Sequence, residues 1–256
     1  MTATAPQVPL VGTPRVQPFG PEHAEVYEDF YRARGKDWVR EANRVASLVR
    51  ERCPEANSLL DVACGVGTHL ERLQLLFDEV VGVEPSLAMR ERAQGRLAQV
   101  QIHESDMRDF DLRRRFHAVT CLYTAVAYLP SVADLRRACA AMASHLTPGG
   151  VLIIEPWWLP EQFIPHYVGA DLFEVAGRSI ARMSHTVREG PLARMEVEWI
   201  IGQAGQGLRT FSELETFYMF SREELLAALD AAGCEAEWHE RWVTGRSLVV
   251  GVRRPS

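Results

Sequence analysis

No run of apolar residues in the 256-residue chain approaches the ~18 that a membrane helix requires, and no signal-type apolar segment opens it. The expectation is a soluble, cytoplasmic protein with no membrane partner. Cysteine is scarce and scattered. Cys53, Cys64, Cys121, Cys139 and Cys234 include no Cys-x-x-Cys pair, which fits free thiols in a reducing compartment. The eight histidines form no His-x-x-x-His pair and no Cys/His cluster, so no metal site is expected. Nor is positive charge in excess: the formal net charge is -6, which argues against general attraction to nucleic acid or an anionic membrane. Arg113-Arg114-Arg115 is a local basic cluster of the kind found in solvated loops.

A further absence is more informative. The apolar run Leu59-Leu60 leads into Asp61-Val62-Ala63-Cys64-Gly65-Val66-Gly67, after which a helical pattern begins. This is a glycine-rich cofactor loop between a strand and a helix, yet the third glycine of the dinucleotide fingerprint is missing and a carboxylate precedes the turn. Gly65 and Gly67 allow a sharp turn and the close approach of a ligand. Asp61 would repel a pyrophosphate but could receive the ammonium of an amino-acid-like cofactor. S-adenosylmethionine (SAM) fits that description.

The chain is long enough for one large α/β domain, or for a core domain with a substantial insertion. Residues 1–20 read as a flexible N-terminal arm. Two amphipathic helices follow from Pro21, carrying the stripes Val26, Tyr27, Phe30, Tyr31 and then Trp38, Ala42, Val45, Ala46, Val49, with Pro54 ending the second. Strands at 58–63, 79–84, 99–103, 116–121 and 151–155 alternate with helices at 68–77, 86–96 and 132–146, and Pro148-Gly149-Gly150 forms a turn. That spacing predicts βαβ units, a parallel sheet covered on both faces, and a ligand beyond the carboxyl ends of the strands. After Pro156 the pattern changes: residues 170–220 carry strand-like alternation, with runs at 178–183, 195–200 and 211–220 separated by glycine-rich turns, which predicts antiparallel hairpins inserted into the core. Ser221 and Glu224 make a capping box for a last helix ending near Gly233, and strands at 235–242 and 247–253 close the core. The expected organisation is a SAM-binding α/β core at 21–156 and 221–256 with N-terminal lid helices. An antiparallel β region for substrate or oligomerisation fills 157–220.

Two acids extend the cofactor footprint. Glu84, at the end of the second strand, can accept both hydroxyls of a ribose. Asp106, after the third strand, can take the amino edge of adenine while Met107 lines the ring, because a purine needs one polar edge and apolar faces. Ala63, Pro85 and Leu122 are assigned to the same cofactor site.

On these residues the stretch from about 57 to 156 resembles the class I SAM-dependent methyltransferases. A narrower resemblance runs over almost the whole chain. Tyr27, Gly35-Lys36-Asp37, Glu155-Pro156-Trp157-Trp158, Ser184-His185-Thr186-Val187-Arg188-Glu189-Gly190 and Gly245-Arg246-Ser247-Leu248 are similar to segments of the dTDP-amino-sugar N-methyltransferases of antibiotic pathways. The resemblance implies methyl transfer from SAM to the amino group of a dTDP-linked deoxysugar. An O- or C-methyltransferase, and a protein that binds SAM or a partner without catalysis, are the alternatives.

Sheet position and resemblance together nominate the acceptor side. Tyr128 follows the fourth strand, and Glu155 ends the fifth, where it could hold the sugar amine or a hydroxyl. His185 lies on the inserted hairpins and joins these two as a catalytic candidate, since an amine must lose a proton before it attacks. Trp157 and Trp158 could wall the sugar or stack on thymine. Arg188 or Arg246 could grip the diphosphate bidentately. Tyr27 is expected to face the cofactor and Trp38 to cover the nucleotide end. Phe19 stands where relatives with a substrate-side tyrosine carry that residue, so a phenolic role there passes to Tyr128 or is absent. A homodimer is expected, with the antiparallel insertion as its contact.

Overall fold

The computed structural model describes residues 16–255. Two helices open it, α1 (Pro21–Ala33) and α2 (Trp38–Arg52). Asp37 caps α2 by accepting the Arg40 N–H at 2.9 Å. The core follows: β1 (Ser58–Val62), α3 (Thr68–Leu73), β2 (Glu79–Val83), α4 (Leu87–Arg96), β3 (Gln101–His103), β4 (Phe116–Cys121), α5 (Val132–Ser144) and β5 (Leu146–Ile154). Four long strands come next: β6 (Tyr167–Val175), β7 (Arg178–Glu189), β8 (Leu192–Gln203) and β9 (Gly207–Tyr218). The chain closes with α6 (Arg222–Ala231), β10 (Cys234–His239) and β11 (Leu248–Arg253).

The core sheet has seven strands in the order β10-β11-β5-β4-β1-β2-β3, parallel from β3 to β5 and antiparallel at β11 and β10. Every residue of β1 is buried, as a central parallel strand covered on both faces requires. On one face Leu135, Met142, Leu225 and Leu229 of α5 and α6 pack with Val81, Val119 and Leu152. On the other, Val45 and Val49 of α2 and Leu70 of α3 pack with Leu59, Ile153 and Val250. β1 and β4 are parallel neighbours, and the order in which strands are added reverses between them, so the loops after β1, β2 and β4 open at one edge of the sheet.

The expected turn at Pro148-Gly149-Gly150 lies inside β5. Phe116 pairs with Leu146 and Ala118 already pairs with Val151, so residues 147–150 bulge out of the ladder without ending it, with Gly149 at φ +76°. Helix α3 stops at Leu73, short of the expected 77.

The second sheet is an antiparallel meander in the order β6-β7-β8-β9. Along β7 the residues alternate: Ile180, Arg182, Ser184 and Thr186 are buried, Ser179, Met183 and His185 exposed. The inner face lies on α1, where Val26 and Phe30 pack with Ile180, Val197, Trp199, Ile201 and Phe211. Arg178 pairs with both Glu25 and Asp29 of α1. Residues 1–15 of the expected flexible arm lie outside the described residues. Within 16–20, the Val16 N–H donates to the Ser212 carbonyl at 2.8 Å and the Phe19 carbonyl accepts from the Ser86 hydroxyl at 2.7 Å. No helix among the described residues is long and apolar enough to cross a membrane.

Candidate active site

One cavity of about 670 Å3 lies between the open edge of the core sheet and the inner face of the four-stranded sheet, a size typical of small-molecule sites. Its floor is the loop after β1. Gly65 adopts φ +56° with nothing within 4 Å of where a Cβ would stand, so the loop presents open backbone to the cavity. Gly67 has a different job. At φ +77°, an added Cβ would meet Leu97 Cδ1 at 2.8 Å and Ala93 Cβ at 3.1 Å, so this glycine lets α3 start against α4 and does not line the cavity.

Asp61 is buried and lines the floor; its Oδ1 accepts from Thr120 Oγ1 at 2.7 Å. Among the described residues it forms no salt bridge, and burial pushes its carboxyl above the usual carboxylate range despite the nearby His69 and the Thr120 hydroxyl. A buried carboxylate of this kind suits a ligand that brings its own cation. Glu84, also buried, is raised by burial against the two backbone N–H groups that it accepts, Ser86 to Oε1 at 2.8 Å and Gly65 to Oε2 at 2.9 Å. Those bonds fix the carboxylate and leave further lone pairs for hydroxyl donors. Asp106 is held bidentately by Arg108 at 2.8 Å on each oxygen, which lowers its pKa. Ala63, Pro85, Met107, Leu122 and the half-buried Tyr27 complete this half of the lining.

The acceptor half meets it at Tyr128, which sits on a short 3-10 helix, Ala125–Tyr128, after β4. Phe19 packs edge-on against Tyr128 at 5.0 Å and lines the same wall. Burial raises Tyr128 well above the ordinary phenol value, so its hydroxyl is a donor at neutral pH and not a base. Trp157 stacks on Phe217 at 4.5 Å, and Trp158, 42 % exposed, stands at the rim. Arg246 lies over the rings of Tyr123 and Trp158, 5.5 and 5.6 Å from their centres, with its Nη1 3.8 Å from Glu155 Oε1, and its buried Nε has no hydrogen-bond partner among the described residues. An unsatisfied guanidinium N–H on a cavity wall is a ready anion donor.

Besides Gly67, four expected residues lie elsewhere. Glu155 is fully buried behind the cavity, where it accepts the Tyr123 N–H at 2.8 Å and the Thr244 hydroxyl at 2.6 Å, so it clasps the loops that carry Tyr123 and Arg246. His185 and Arg188 are exposed: strand alternation turns His185 to the outer face, beside His166, and Arg188 donates to the Gly190 and Pro160 carbonyls. Trp38 is buried in the first turn of α2 and does not line the cavity. The same alternation brings in residues that the sequence reading missed: Arg182, Ser184 and Thr186 from β7, Met195 from β8, and Glu215 and Phe217 from β9. Ser184 and Thr186 flank the exposed His185 by one position, and the others are set apart only by the inner phase of their strands.

A parallel sheet whose strand order reverses between β1 and β4, an antiparallel closing hairpin, and a glycine loop between a buried acid and a second acid at the end of β2 define a class I SAM-dependent methyltransferase. The methyltransferase-domain family matches residues 59–150. The chain is 47% identical to dTDP-3-amino-3,4,6-trideoxy-alpha-D-glucopyranose N,N-dimethyltransferase of Streptomyces venezuelae, over 90% of this chain and 98% of that one. It is also 47% identical to dTDP-4-amino-2,3,4,6-tetradeoxy-D-glucose N,N-dimethyltransferase of Saccharopolyspora spinosa, over 92% and 94%. Among solved structures, SAM-bound CalS10, an amino pentose methyltransferase from Micromonospora echinaspora, matches with a TM-score of 0.84 and 51% identity over 89% of this chain and 96% of that one. The chain belongs to the dTDP-amino-sugar N-methyltransferases.

Proposed function

We propose that this enzyme transfers a methyl group from SAM to the amine of a dTDP-linked amino-deoxysugar, once or twice. The observation that carries this reading is the continuity of the cavity: a floor of Asp61, Gly65 and Glu84 runs without a break into a roof of Trp157, Ser184 and Phe217, so donor and acceptor can share one enclosed space. The equal identity to a 3-amino and a 4-amino sugar enzyme supports the amine as acceptor and leaves both ring positions as substrates to test.

In this reading Asp61 holds the cofactor's ammonium, Glu84 the ribose hydroxyls, and Asp106 with Met107 the adenine. When bound, SAM supplies a methyl carbon already activated by a positive sulfur. The protein's task is then alignment, worth roughly 7–11 kcal/mol when two reactants are held for in-line attack. Phe19, Tyr128, Trp157 and Phe217 exclude water and set the sugar's plane. Arg246, oriented through Glu155, meets the diphosphate, and Trp158 stacks at the nucleotide end. A homodimer through the outer face of the four-stranded sheet, where Leu172, Met183 and Ile200 are exposed, completes the reading.

Incubation with SAM and a panel of dTDP-3-amino and dTDP-4-amino sugars, followed by mass spectrometry, tests it. The expected product is an amino sugar heavier by one or two methyl groups. Turnover confined to acceptors that carry a hydroxyl in place of the amine would overturn the reading.

A further inference from the structure

One acid on the roof of the cavity belongs to none of these roles. Glu215, near the end of β9, is buried and lines the cavity wall. Tyr128 donates its hydroxyl to Glu215 Oε2 at 2.5 Å. The other groups that face it are Arg182 of β7, His23 and Tyr31 of α1, and Glu213 on its own strand, all within electrostatic reach. None of them forms a salt bridge with it among the described residues. His23 is committed to Glu213, at 3.0 Å, and Arg182 donates to Ser184 Oγ at 3.0 Å and Met195 Sδ at 3.5 Å.

Burial raises Glu215's carboxyl, with Glu213 adding to it, and His23, the hydroxyl of Tyr128 and the positive field of Arg182 offset this only in part. A buried carboxylate with one hydroxyl donor and no salt bridge among the described residues is costly to keep unless a ligand brings the opposite charge. The acceptor half of the cavity calls for such a ligand. A sugar amine arrives in water as an ammonium, and its lone pair is free only after a proton has left.

We propose that Glu215 receives the acceptor amine, pairing with the ammonium through Oε1, taking one proton from it and leaving the neutral amine beside Tyr128. This rests on the amino-sugar reading above. The N–H electron pair stays on nitrogen as the proton moves to the carboxylate. The nitrogen lone pair then forms the N–CH3 bond while the C–S bond breaks, with its electrons going to sulfur, and the proton on Glu215 returns to water as product leaves. Enclosure favours the proton transfer, because the neutral acid and neutral amine lose less hydration than the ion pair would. The same carboxylate selects amine over hydroxyl, since a neutral acceptor brings Glu215 no counter-charge.

The test compares wild type with Glu215→Gln, which keeps the acceptor oxygen for Tyr128 and removes the basic one. Calorimetry of SAM binding checks that the cofactor half is intact, with affinity expected within about twofold of wild type. On dTDP-amino sugars the variant's kcat/KM is expected to fall at least ~100-fold, the usual weight of a general base. Wild type's tighter binding of the amino sugar than of its hydroxyl counterpart is expected to disappear. A variant within about threefold of wild-type kcat/KM overturns the assignment, as does one that loses turnover yet still prefers the amine. If the Gln variant fails to bind SAM, Glu215→Asp replaces it: retention of the amine preference with slower turnover supports the role, and loss of that preference overturns it. Wild-type protein that binds SAM but methylates no amino sugar overturns the functional reading itself, a different result from an active wild type matched by its variant.

Discussion

Asp61 places a carboxylate in a buried wall with one hydroxyl as its hydrogen-bond donor. A carboxyl whose pKa burial raises stabilises the fold while it is protonated, below the ordinary range near ~4. That contribution is lost as pH climbs through the raised value, so at neutral pH the ionised group weighs against the cofactor-free protein. Asp61→Asn keeps an oxygen for Thr120 and removes the charge. The expected outcome is a Tm higher by about 2–4 °C at pH 7, for roughly 1 kcal/mol in a chain of this size, with calorimetric SAM binding abolished. A lower Tm or an intact SAM affinity would refute the role. Asp61 and Glu84 were legible in the sequence because each ends an apolar run, where a parallel sheet puts its ligand. Glu155 ends one too, but Tyr123 and Thr244 capture it. Glu215 and Arg182 carry no such mark, since only the inner phase of their strands sets them apart.

Among the elements, the turn from β1 into α3 divides two jobs between two glycines. Gly67→Ala combines a left-handed backbone with a Cβ set against Leu97 and Ala93, and should lower unfolding stability by about 2–4 kcal/mol in urea titration. Gly65→Ala meets open space and should lose only about 1–2 kcal/mol of stability, while SAM affinity falls far more than it does for Gly67→Ala. The reverse pattern would contradict this division. Both glycines looked alike in the sequence, because the neighbour that distinguishes them, Leu97, follows α4 some thirty residues on. Strands β1, β2 and β4 were readable as apolar runs, and β7 to β9 as alternation. The start of β6 and the bulge in β5 were not. Tyr167-Val168-Gly169 lacks a polar and apolar rhythm, and Pro148-Gly149-Gly150 ends a strand locally unless its partner strand tolerates a bulge.

At the scale of the whole molecule, the core sheet supplies the floor of the cavity and the meander supplies its roof, with α1 packed beneath the meander by Phe30, Trp199 and the Arg178 pairs. The two-part organisation was visible in the switch of periodicity after Pro156. Which face of the meander turned inward was not, because both phases of β7 contain polar residues and packing against α1 makes the choice. The central claim, that this enclosed space joins SAM to an amine, is tested most directly by following the methyl carbon. With 13C-methyl SAM and a dTDP-amino sugar, carbon–proton correlation NMR of the product is expected to show the label bonded to the sugar nitrogen. A label found on oxygen, or one that stays on unreacted SAM with every amino sugar offered, would contradict it.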